Sequence, residues 1–511
     1  MLSFILRRLA VGVVVLLGAT FIVFVLVSYA TDPLAAVRAS NLQNKAQIIQ
    51  QRTELLHLDM PVVLRFFMWL GLVWDFLRGG GTLGTSFAKQ TTVYAQLQSA
   101  VPTTIKLVLA SLLIAVLLGV VVGITTALRQ YSAFDYITTF FTFLFYSLPA
   151  FWVAVLLKEF GAIKFNDFLA DPRIPPWVVV LIGLAGFGLA TLVTGGRWSI
   201  RLLSGAVAGV AVALTALYVS LSGFLLTPGL GVVGVGLSGL GVAAVVTAIA
   251  TGFGNRRALY SALTTALIGT ALYFPLQFAF VNPTPWLLLG LWVSAGVVGA
   301  LVGLAFGGPD KGLSARGGAI TAMGMAVFVF ADRLMQTWPA YVNSPRVKGR
   351  PIGTMGAVTP ELGGNFWFGA TDMLTHLILP TTALVLITFA SYTRYTRASM
   401  LEVMNADYIR TARAKGLTER TVVVRHAFRN ALIPLATVVP IDIAAVLGGA
   451  IITERIFSWR GMGTMFIDAM NEGDLYPIMG YFVVTAALFI AANIGADLVY
   501  AGLDPRIRVN A

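Results

Sequence analysis

The chain contains long blocks of residues without a single Asp, Glu, Lys or Arg. They include residues 9–31, 107–128, 202–255, 258–309 and 373–393. A helix needs about 20 apolar residues to cross the hydrocarbon core of a bilayer. Charged residues make up 11% of the 511-residue chain, whereas a typical soluble domain has about 25%. The pattern excludes an ordinary soluble protein and predicts an all-α polytopic membrane protein.

The basic residues give the chain a net charge of +13. They lie in short segments between the apolar blocks, as expected for cytoplasmic loops of a membrane protein, so we expect no nucleic-acid partner. Arg7 and Arg8 precede the first block, which is too long for a typical signal peptide and predicts a retained span. Cysteine is absent and His57, His376 and His426 are isolated. We therefore expect no disulfide, metal site or bound cofactor.

Twelve spans result when the basic segments are assigned to the cytoplasmic side, and both termini are then cytoplasmic. The predicted spans are about 9–30, 104–128, 137–157, 177–194, 202–225, 231–252, 258–280, 285–306, 318–331, 373–393, 431–453 and 478–500. Asp332 and Arg333 are expected to end the ninth span. The predicted regions are a first span (1–30), an extracytoplasmic subdomain (31–102), spans two and three (103–175), a six-span block (176–331), an extracytoplasmic loop (332–372) and a C-terminal region (373–511).

The block 176–331 differs in composition from the rest of the chain. It holds 27 of the 52 glycines and seven charged residues, six of them basic, in pairs near positions 199, 256 and 313. Closely spaced glycines between Gly229 and Gly241 permit close contact between helices. The block either recruits a partner or lipid, or forms a passive, lipid-facing bundle, which is the interpretation we favour.

The segment 394–430 is the most basic predicted loop. Asp407 is predicted to cap a two-turn helix, Gly416 to end it in the left-handed conformation, and Thr418 to cap a second helix. The predicted face for a soluble partner consists of apolar Tyr408, Ile409 and Ala412 with Arg410, Arg413 and Lys415 at its rim. Composition alone favours a loop that only fixes the orientation of the chain, and the exact residue string reverses this preference.

The residue string at 407–417, followed by 425–427 and 429–434, resembles the coupling-loop signature of ABC importer permeases. Among these permeases, the string is most similar to that of the B-type permease of the peptide/nickel group. Other matching segments are 56–87, 147–152, 454–463 and 503–506. Two departures are Thr411-Ala412-Arg413, where the general signature has Glu-Ala-Ala, and Arg460, where the family usually has proline. The resemblance covers about 1–170 and 340–511 and leaves 176–331 as an insertion.

This resemblance implies a type I permease core of six spans with about six inserted spans, in a bacterial plasma (inner) membrane. The chain would form the translocation path for di- and oligopeptides. The implied partners are a homologous C-type permease, two cytoplasmic ATPase subunits, an extracytoplasmic substrate-binding protein and membrane lipid. The implied ATPase-coupling residues are Asp407, Tyr408, Ile409, Arg410, Thr411, Ala412, Arg413, Ala414, Lys415, Gly416 and Leu417.

The chain is not expected to be an enzyme itself. It has no Gly-x-x-x-x-Gly-Lys-Ser/Thr phosphate-binding loop, so ATP and Mg²⁺ are expected on the partner subunits. Asp442, deep in a predicted span, is a candidate for the translocation path, where it would contact a substrate amine or add to the polar lining. Alternatively, it makes a helix-packing hydrogen bond. Other functions left open are an autonomous twelve-span secondary transporter and an importer of nickel or another small solute.

Overall fold

The computed structural model describes residues 2–41, 43–306, 308 and 311–503, with side chains at all of these except 2–5, 444–449 and 498–503. Of the matching segment 503–506, residues 504–506 lie outside the described residues. The chain forms two compact units. Unit 1 contains residues up to 161, 354–357 and those from 377 on, and unit 2 contains 162–353 and 358–376.

The secondary structure of the described residues is helical, apart from turns and one isolated bridge between Thr85 and Thr92. The helices are α1 (Leu2–Ala30), α2 (Ala35–Ala39), α3 (Lys45–Leu56), α4 (Val62–Leu77), α5 (Val93–Leu128), α6 (Ala133–Ser147), α7 (Ala150–Leu156), α8 (Phe165–Leu169), α9 (Pro176–Val193), α10 (Trp198–Leu221), α11 (Gly231–Ala250), α12 (Arg256–Ala271), α13 (Tyr273–Ala279), α14 (Pro285–Phe306), α15 (Lys311–Val342), α16 (Phe366–Met404), α17 (Asp407–Ala414), α18 (Glu419–Thr421), α19 (Phe428–Ala431), α20 (Ile433–Ile456), α21 (Met462–Glu472) and α22 (Leu475–Leu503). Two π-helical segments, Leu157–Lys164 and Val422–Ala427, join neighbouring helices.

The number of membrane-spanning helices depends on how three bent pairs are counted. Nine helices in the described part of the chain are long and apolar enough to span a membrane, and the number is twelve if each bent pair forms one span. The largest bend, 103°, separates α6 from α7. Leu148 is extended there because Pro149 follows it, and a residue before proline avoids the helical conformation. The prediction of an all-α polytopic protein is confirmed.

Several helices extend beyond the ends of the predicted spans. The predicted loop 332–372 is helical at both ends, since α15 continues to Val342 and α16 begins at Phe366. Likewise, α5 begins at Val93 rather than near Thr104 and includes Pro102. The segment 394–430 begins with eleven residues that still belong to α16. The polar residues near these boundaries are therefore accommodated inside helices.

Asp332 explains why the predicted end of the ninth span is wrong. Its side chain is fully buried in unit 2. One carboxylate oxygen accepts hydrogen bonds from the backbone N–H groups of Leu230 and Gly231, at 2.7 and 2.9 Å, where α11 begins. The other accepts from the Tyr273 hydroxyl at 2.6 Å and Gln336 Nε2 at 2.8 Å. Because four donors surround the carboxylate, α15 buries this acidic residue without ending.

In unit 1, two glycines of α5 bring that helix close to α16. A Cβ atom on Gly119 would lie 2.5 Å from Cβ of Tyr392, and one on Gly123 would lie 2.7 Å from Cβ of Thr396. Real Cβ atoms do not approach this closely, so the helix contact requires glycine at both positions. This contact fixes the end of α16 from which the 405–430 segment continues.

Candidate functional site

The short helix α17 lies in the 405–430 segment, directly after α16. Its last residue is Ala414, Lys415 caps its end and Gly416 follows with φ +76°. The backbone N–H of Gly416 donates to the carbonyl of Arg413 at 2.9 Å. The predicted left-handed glycine is confirmed, and it turns the chain so that Thr418 can begin the next helix. The Thr418 hydroxyl accepts from the backbone N–H of Thr421 at 3.4 Å, which confirms the second predicted cap.

The prediction that Asp407 caps α17 is wrong. Asp407 is the first helical residue, and the cap position belongs to Ala406, which makes no side-chain cap bond. The Asp407 carboxylate is almost fully exposed and pairs with Arg410 at 3.7 Å. An acidic side chain in the first turn still interacts favourably with the positive end of the helix dipole.

The predicted partner face of α17 is also partly wrong. Ile409 is 0% exposed and Ala412 is 6% exposed. Both pack inside unit 1, in a cluster that includes Ala127 of α5, Met400 of α16 and Val422. A side chain buried in its own subunit is not available to the groove of a partner. Ile409 and Ala412 therefore hold α17 on the permease, and we call this face of α17 the seated face.

The opposite face of α17 is exposed. It consists of Tyr408, Arg410, Thr411, Arg413, Ala414 and Lys415, with Leu417 beyond the helix. The Tyr408 hydroxyl accepts from Asn430 Nδ2 at 2.8 Å. Arg413 binds both carboxylate oxygens of Glu419, at 2.7 and 3.1 Å. This hydrogen-bonded pairing lowers the pKa of Glu419 and raises the pKa of Arg413.

A second support for the 405–430 segment comes from α16. The hydroxyl of Ser399, which is buried, donates to the carbonyl of Ala431 at 2.9 Å. Ala431 ends α19 and is itself buried in the same cluster as Ile409. The segment is thus fixed at its start, where α16 continues into it, and at its end. Sequence reasoning missed Ser399, because a single serine within a helical run gives no signal of its long-range partner.

Asp442 lies in α20, beside Tyr392 of α16, whose side chain is fully buried. The Tyr392 hydroxyl forms no standard hydrogen bond within the described part of the chain. Asp442 is half-buried. Asp442 thus has Tyr392 as a polar neighbour within its own chain. Its assignment to a translocation path stays a prediction.

Glu454 is a buried acidic residue whose structural role the reasoning from predicted spans missed. It is fully buried at the end of α20. Its carboxylate accepts from the Thr104 hydroxyl at 2.5 Å and from the backbone N–H groups of Gly463 and Thr464 at 2.9 and 3.1 Å. It thereby satisfies free donors at the start of α21. The signal available in the sequence was its place in the matching segment 454–463.

Two family models match the chain. The model described as binding-protein-dependent transport system inner membrane component matches residues 119–509, a range that runs across 176–331. The model for the N-terminal part of the membrane component of such systems matches residues 1–108. The prediction that 176–331 is an insertion is not tested by these matches.

Curated relatives resemble parts of the chain. A putative peptide permease protein of Brucella ovis is 40% identical over 217 residues, which are 42% of this chain and 63% of the relative. An oligopeptide transport system permease protein of Bacillus subtilis is 45% identical over 143 residues, 28% of this chain and 45% of the relative. A dipeptide transport system permease protein of Escherichia coli is 40% identical over 209 residues, 38% of this chain and 60% of the relative.

The chain thus spans about half to three-fifths of the length of the curated relatives that it matches. The inner membrane family model, in contrast, covers well over half of the chain. Its spanning helices and the string at 407–417 agree with that match. The chain belongs to the family of binding-protein-dependent transport system inner membrane components.

Proposed function

We propose that the chain is a permease subunit of an ATP-driven importer and forms, with a homologous C-type permease, the translocation path for di- and oligopeptides. Family membership supports the transport function. The names of the relatives, which include peptide, oligopeptide and dipeptide permeases, support the substrate class. The chain itself carries out no ATP hydrolysis in this proposal.

The other subunits supply the energy and the substrate. Two cytoplasmic ATPase subunits bind ATP and Mg²⁺, and an extracytoplasmic binding protein delivers the peptide. The chain lies in a bacterial inner membrane with its termini and α17 on the cytoplasmic side. The excess of Arg and Lys around α17 supports this orientation, because cytoplasmic loops are enriched in basic residues.

The observation that carries the proposal is the two-faced burial of α17. Ile409 and Ala412 hold one face inside unit 1, while the face with Ala414 and Lys415 is exposed. A helix fixed in this way presents a rigid surface that can fit into a groove of an ATPase subunit. Movement of the ATPase dimer is then passed to α16 and α20, which are continuous with the segment that holds α17.

The test compares two matched substitutions two residues apart. Ala414→Asp adds a charge on the exposed face, so the purified chain should keep its melting temperature while the ATPase subunits no longer co-purify with it. Ala412→Asp places the same charge on the seated face and should lower the melting temperature, because a buried unpaired charge is costly. Lys89→Ala, in another part of unit 1, should leave ATP-dependent peptide uptake unchanged.

The proposal is wrong if Ala414→Asp retains both the ATPase subunits and coupled uptake. Uptake that continues without any ATPase subunit would instead assign the chain to the autonomous secondary transporters. Uptake of nickel chelates but not of labelled peptides by the intact complex would retain the importer and replace its substrate class.

For the block 176–331 we propose a passive, lipid-facing bundle. Its helices expose large apolar side chains, among them Leu203, Val233, Trp286 and Leu301. In a membrane such side chains contact lipid tails without cost.

For Asp442, we propose a polar position in the translocation path. If this proposal is correct, Asp442→Asn should change peptide uptake without changing assembly of the complex.

A further inference from the structure

A cavity of about 250 Å³, lined by both apolar and polar side chains, lies in unit 1 among α5, α6 and α16. Its polar lining consists of threonine and arginine side chains, including Thr126, Thr139, Thr142, Thr393, Arg394 and Arg397. Phe143, Ala398 and Leu401 supply apolar walls. None of the described residues that line the cavity is acidic, so its charged side chains are cations.

Arg397 forms an ion pair with a neighbouring carboxylate. Its terminal nitrogen donates to Asp135 at 2.8 Å, and Asp135 is buried. The same carboxylate accepts from the Thr139 hydroxyl and from the backbone N–H of Tyr131. The Nε atom of Arg397 is buried and has no hydrogen-bond partner within the described part of the chain. Arg397 therefore offers one donor to a further acceptor.

Thr393 offers a second donor. It is 3% exposed, and its hydroxyl has no partner among the described residues. Buried hydroxyl groups in proteins are nearly always hydrogen-bonded, so an unpaired one in the wall of a cavity indicates an absent acceptor. Arg394 is the next residue in the chain. Its guanidinium carbon lies 4.8 Å from the ring centroid of Tyr146 and 5.3 Å from that of Phe143.

The charge of the cavity fits a monovalent oxyanion. The positive charge of Arg397 is balanced by Asp135, whereas we find no carboxylate in contact with Arg394 in the part of the chain that the structure describes. One net positive charge and two unused donors match a phosphodiester, which carries one negative charge and several acceptor oxygens.

The depth of the cavity in the membrane indicates which kind of molecule carries the bound anion. Arg394 directly follows the uncharged block 373–393, and Thr126 lies two residues before the end of α5. In the predicted topology both positions lie where spans leave the hydrocarbon region, and basic pockets between spans at this level bind lipid headgroups. The adjoining α6 exposes Phe140 and Phe143, along which acyl chains can lie.

We propose that the cavity binds the phosphate group of a membrane phospholipid, with the hydroxyl of Thr393 and the guanidinium groups of Arg394 and Arg397 as its donors. The lipid then holds α6 against α16. This inference does not depend on the proposed transport function.

The test measures lipid binding to the full chain, purified in detergent, by native mass spectrometry during a titration with phosphatidylglycerol. Thr393→Val and Arg394→Gln should each weaken binding about tenfold, as expected for the loss of one hydrogen bond to a charged group. Arg78→Gln is the matched control, because Arg78 also stacks on an aromatic ring, that of Trp74 at 5.0 Å, but lies outside the cavity. All three variants should keep the melting temperature of the parent in the absence of added lipid.

Diacylglycerol with the same acyl chains should bind far more weakly than phosphatidylglycerol, because it lacks the phosphate. Equal binding of the two lipids, or unchanged binding in both cavity variants, would overturn the proposal. Displacement of the lipid by millimolar inorganic phosphate would assign the cavity to free phosphate. Displacement by a dipeptide but not by its C-terminal amide would assign it to substrate carboxylates, and either result would overturn the lipid proposal.

Discussion

Thr104 and Glu454, which are 350 residues apart in the chain, are joined by a 2.5 Å hydrogen bond. The Thr104 hydroxyl donates to the carboxylate and also accepts from the backbone N–H of Met462 at 2.8 Å. Thr104 belongs to the part of the chain matched by the N-terminal family model, and Glu454 to the part matched by the inner membrane model. One buried hydroxyl thus connects α5 to the start of α21.

Thr104→Val should destabilise the chain markedly. It leaves both the Glu454 carboxylate and the Met462 N–H without this partner, and each buried unsatisfied group costs about 1–3 kcal/mol. The thermal midpoint of the purified chain in detergent should fall, and Thr104→Ser should restore most of the loss. Thr103→Val is the control, because the exposed Thr103 hydroxyl bonds only within its own helix. Equal midpoints for the Thr103 and Thr104 variants would contradict the role of this bond.

Under the proposed function, Gly416→Val should weaken coupling to the ATPase subunits without disturbing the spans. A Cβ atom at Gly416 meets no neighbouring atom, so the effect comes from its φ of +76°. A side chain in this conformation costs about 1 kcal/mol, and a β-branched one more. Hydrogen exchange should increase selectively at α17, and ATP-driven uptake should fall. Gly369→Ala is the control, because Gly369 also lies in open space but has no positive φ, and it should behave as the parent. If Gly416→Val shows the hydrogen exchange and uptake of the parent, the left-handed turn at Gly416 is not needed for coupling.

Asp332→Asn should lower the stability of unit 2. The amide group of asparagine turns an NH₂ towards donors that now bind a carboxylate oxygen, so at least one buried hydrogen bond is lost. We expect a cost of about 3 kcal/mol, as for other broken buried polar networks. Asp171→Asn is the matched control in the same unit, since its side chain is exposed. Thermal unfolding in detergent provides the comparison, and similar midpoints for both variants would show that Asp332 is not the support of α11.

Asp474 should make stability depend on pH. It is fully buried before α22, accepts from the Ser86 hydroxyl at 2.6 Å and has one unpaired oxygen in the described part of the chain. Burial raises the pKa of Asp474 above its ordinary value of 3.8. Its stabilising contribution is therefore fully present below about pH 3.8 and is lost as the pH rises through the raised pKa.

The measurement for Asp474 is the difference in thermal midpoint between the parent and Asp474→Asn across pH. The parent should lose stability relative to the variant as the pH rises. A difference that stays constant from acidic to neutral pH would show that the carboxyl group does not titrate with a raised pKa.

The orientation of the block 176–331 can be tested because the chain contains no cysteine. Ser199→Cys and Gly254→Cys are exposed positions next to basic pairs and should resist an impermeant thiol reagent in intact cells. Asn282→Cys, in an uncharged turn, should react. Labelling of the first two from outside would overturn the predicted topology.

The spans were predictable from sequence because charged side chains are costly in a bilayer, so uncharged blocks mark them. Gly416 and Thr418 were predictable because turn and cap chemistry is local. The burial of Ile409 and Ala412 was not, since it depends on Ala127, far earlier in the chain. Asp332 was misjudged for the same reason: its donors Leu230 and Gly231 precede it by about 100 residues.

The two faces of α17 are subject to different demands during evolution. The seated face, with Ile409 and Ala412, must fit the interior of its own subunit whatever ATPase is bound. The exposed face can change together with an ATPase while the fold of the chain stays intact. Under the proposed function, exchange of Ala414, Lys415 and their exposed neighbours between two permeases should therefore transfer a preference for one ATPase to the other, whereas exchange of the seated residues should not.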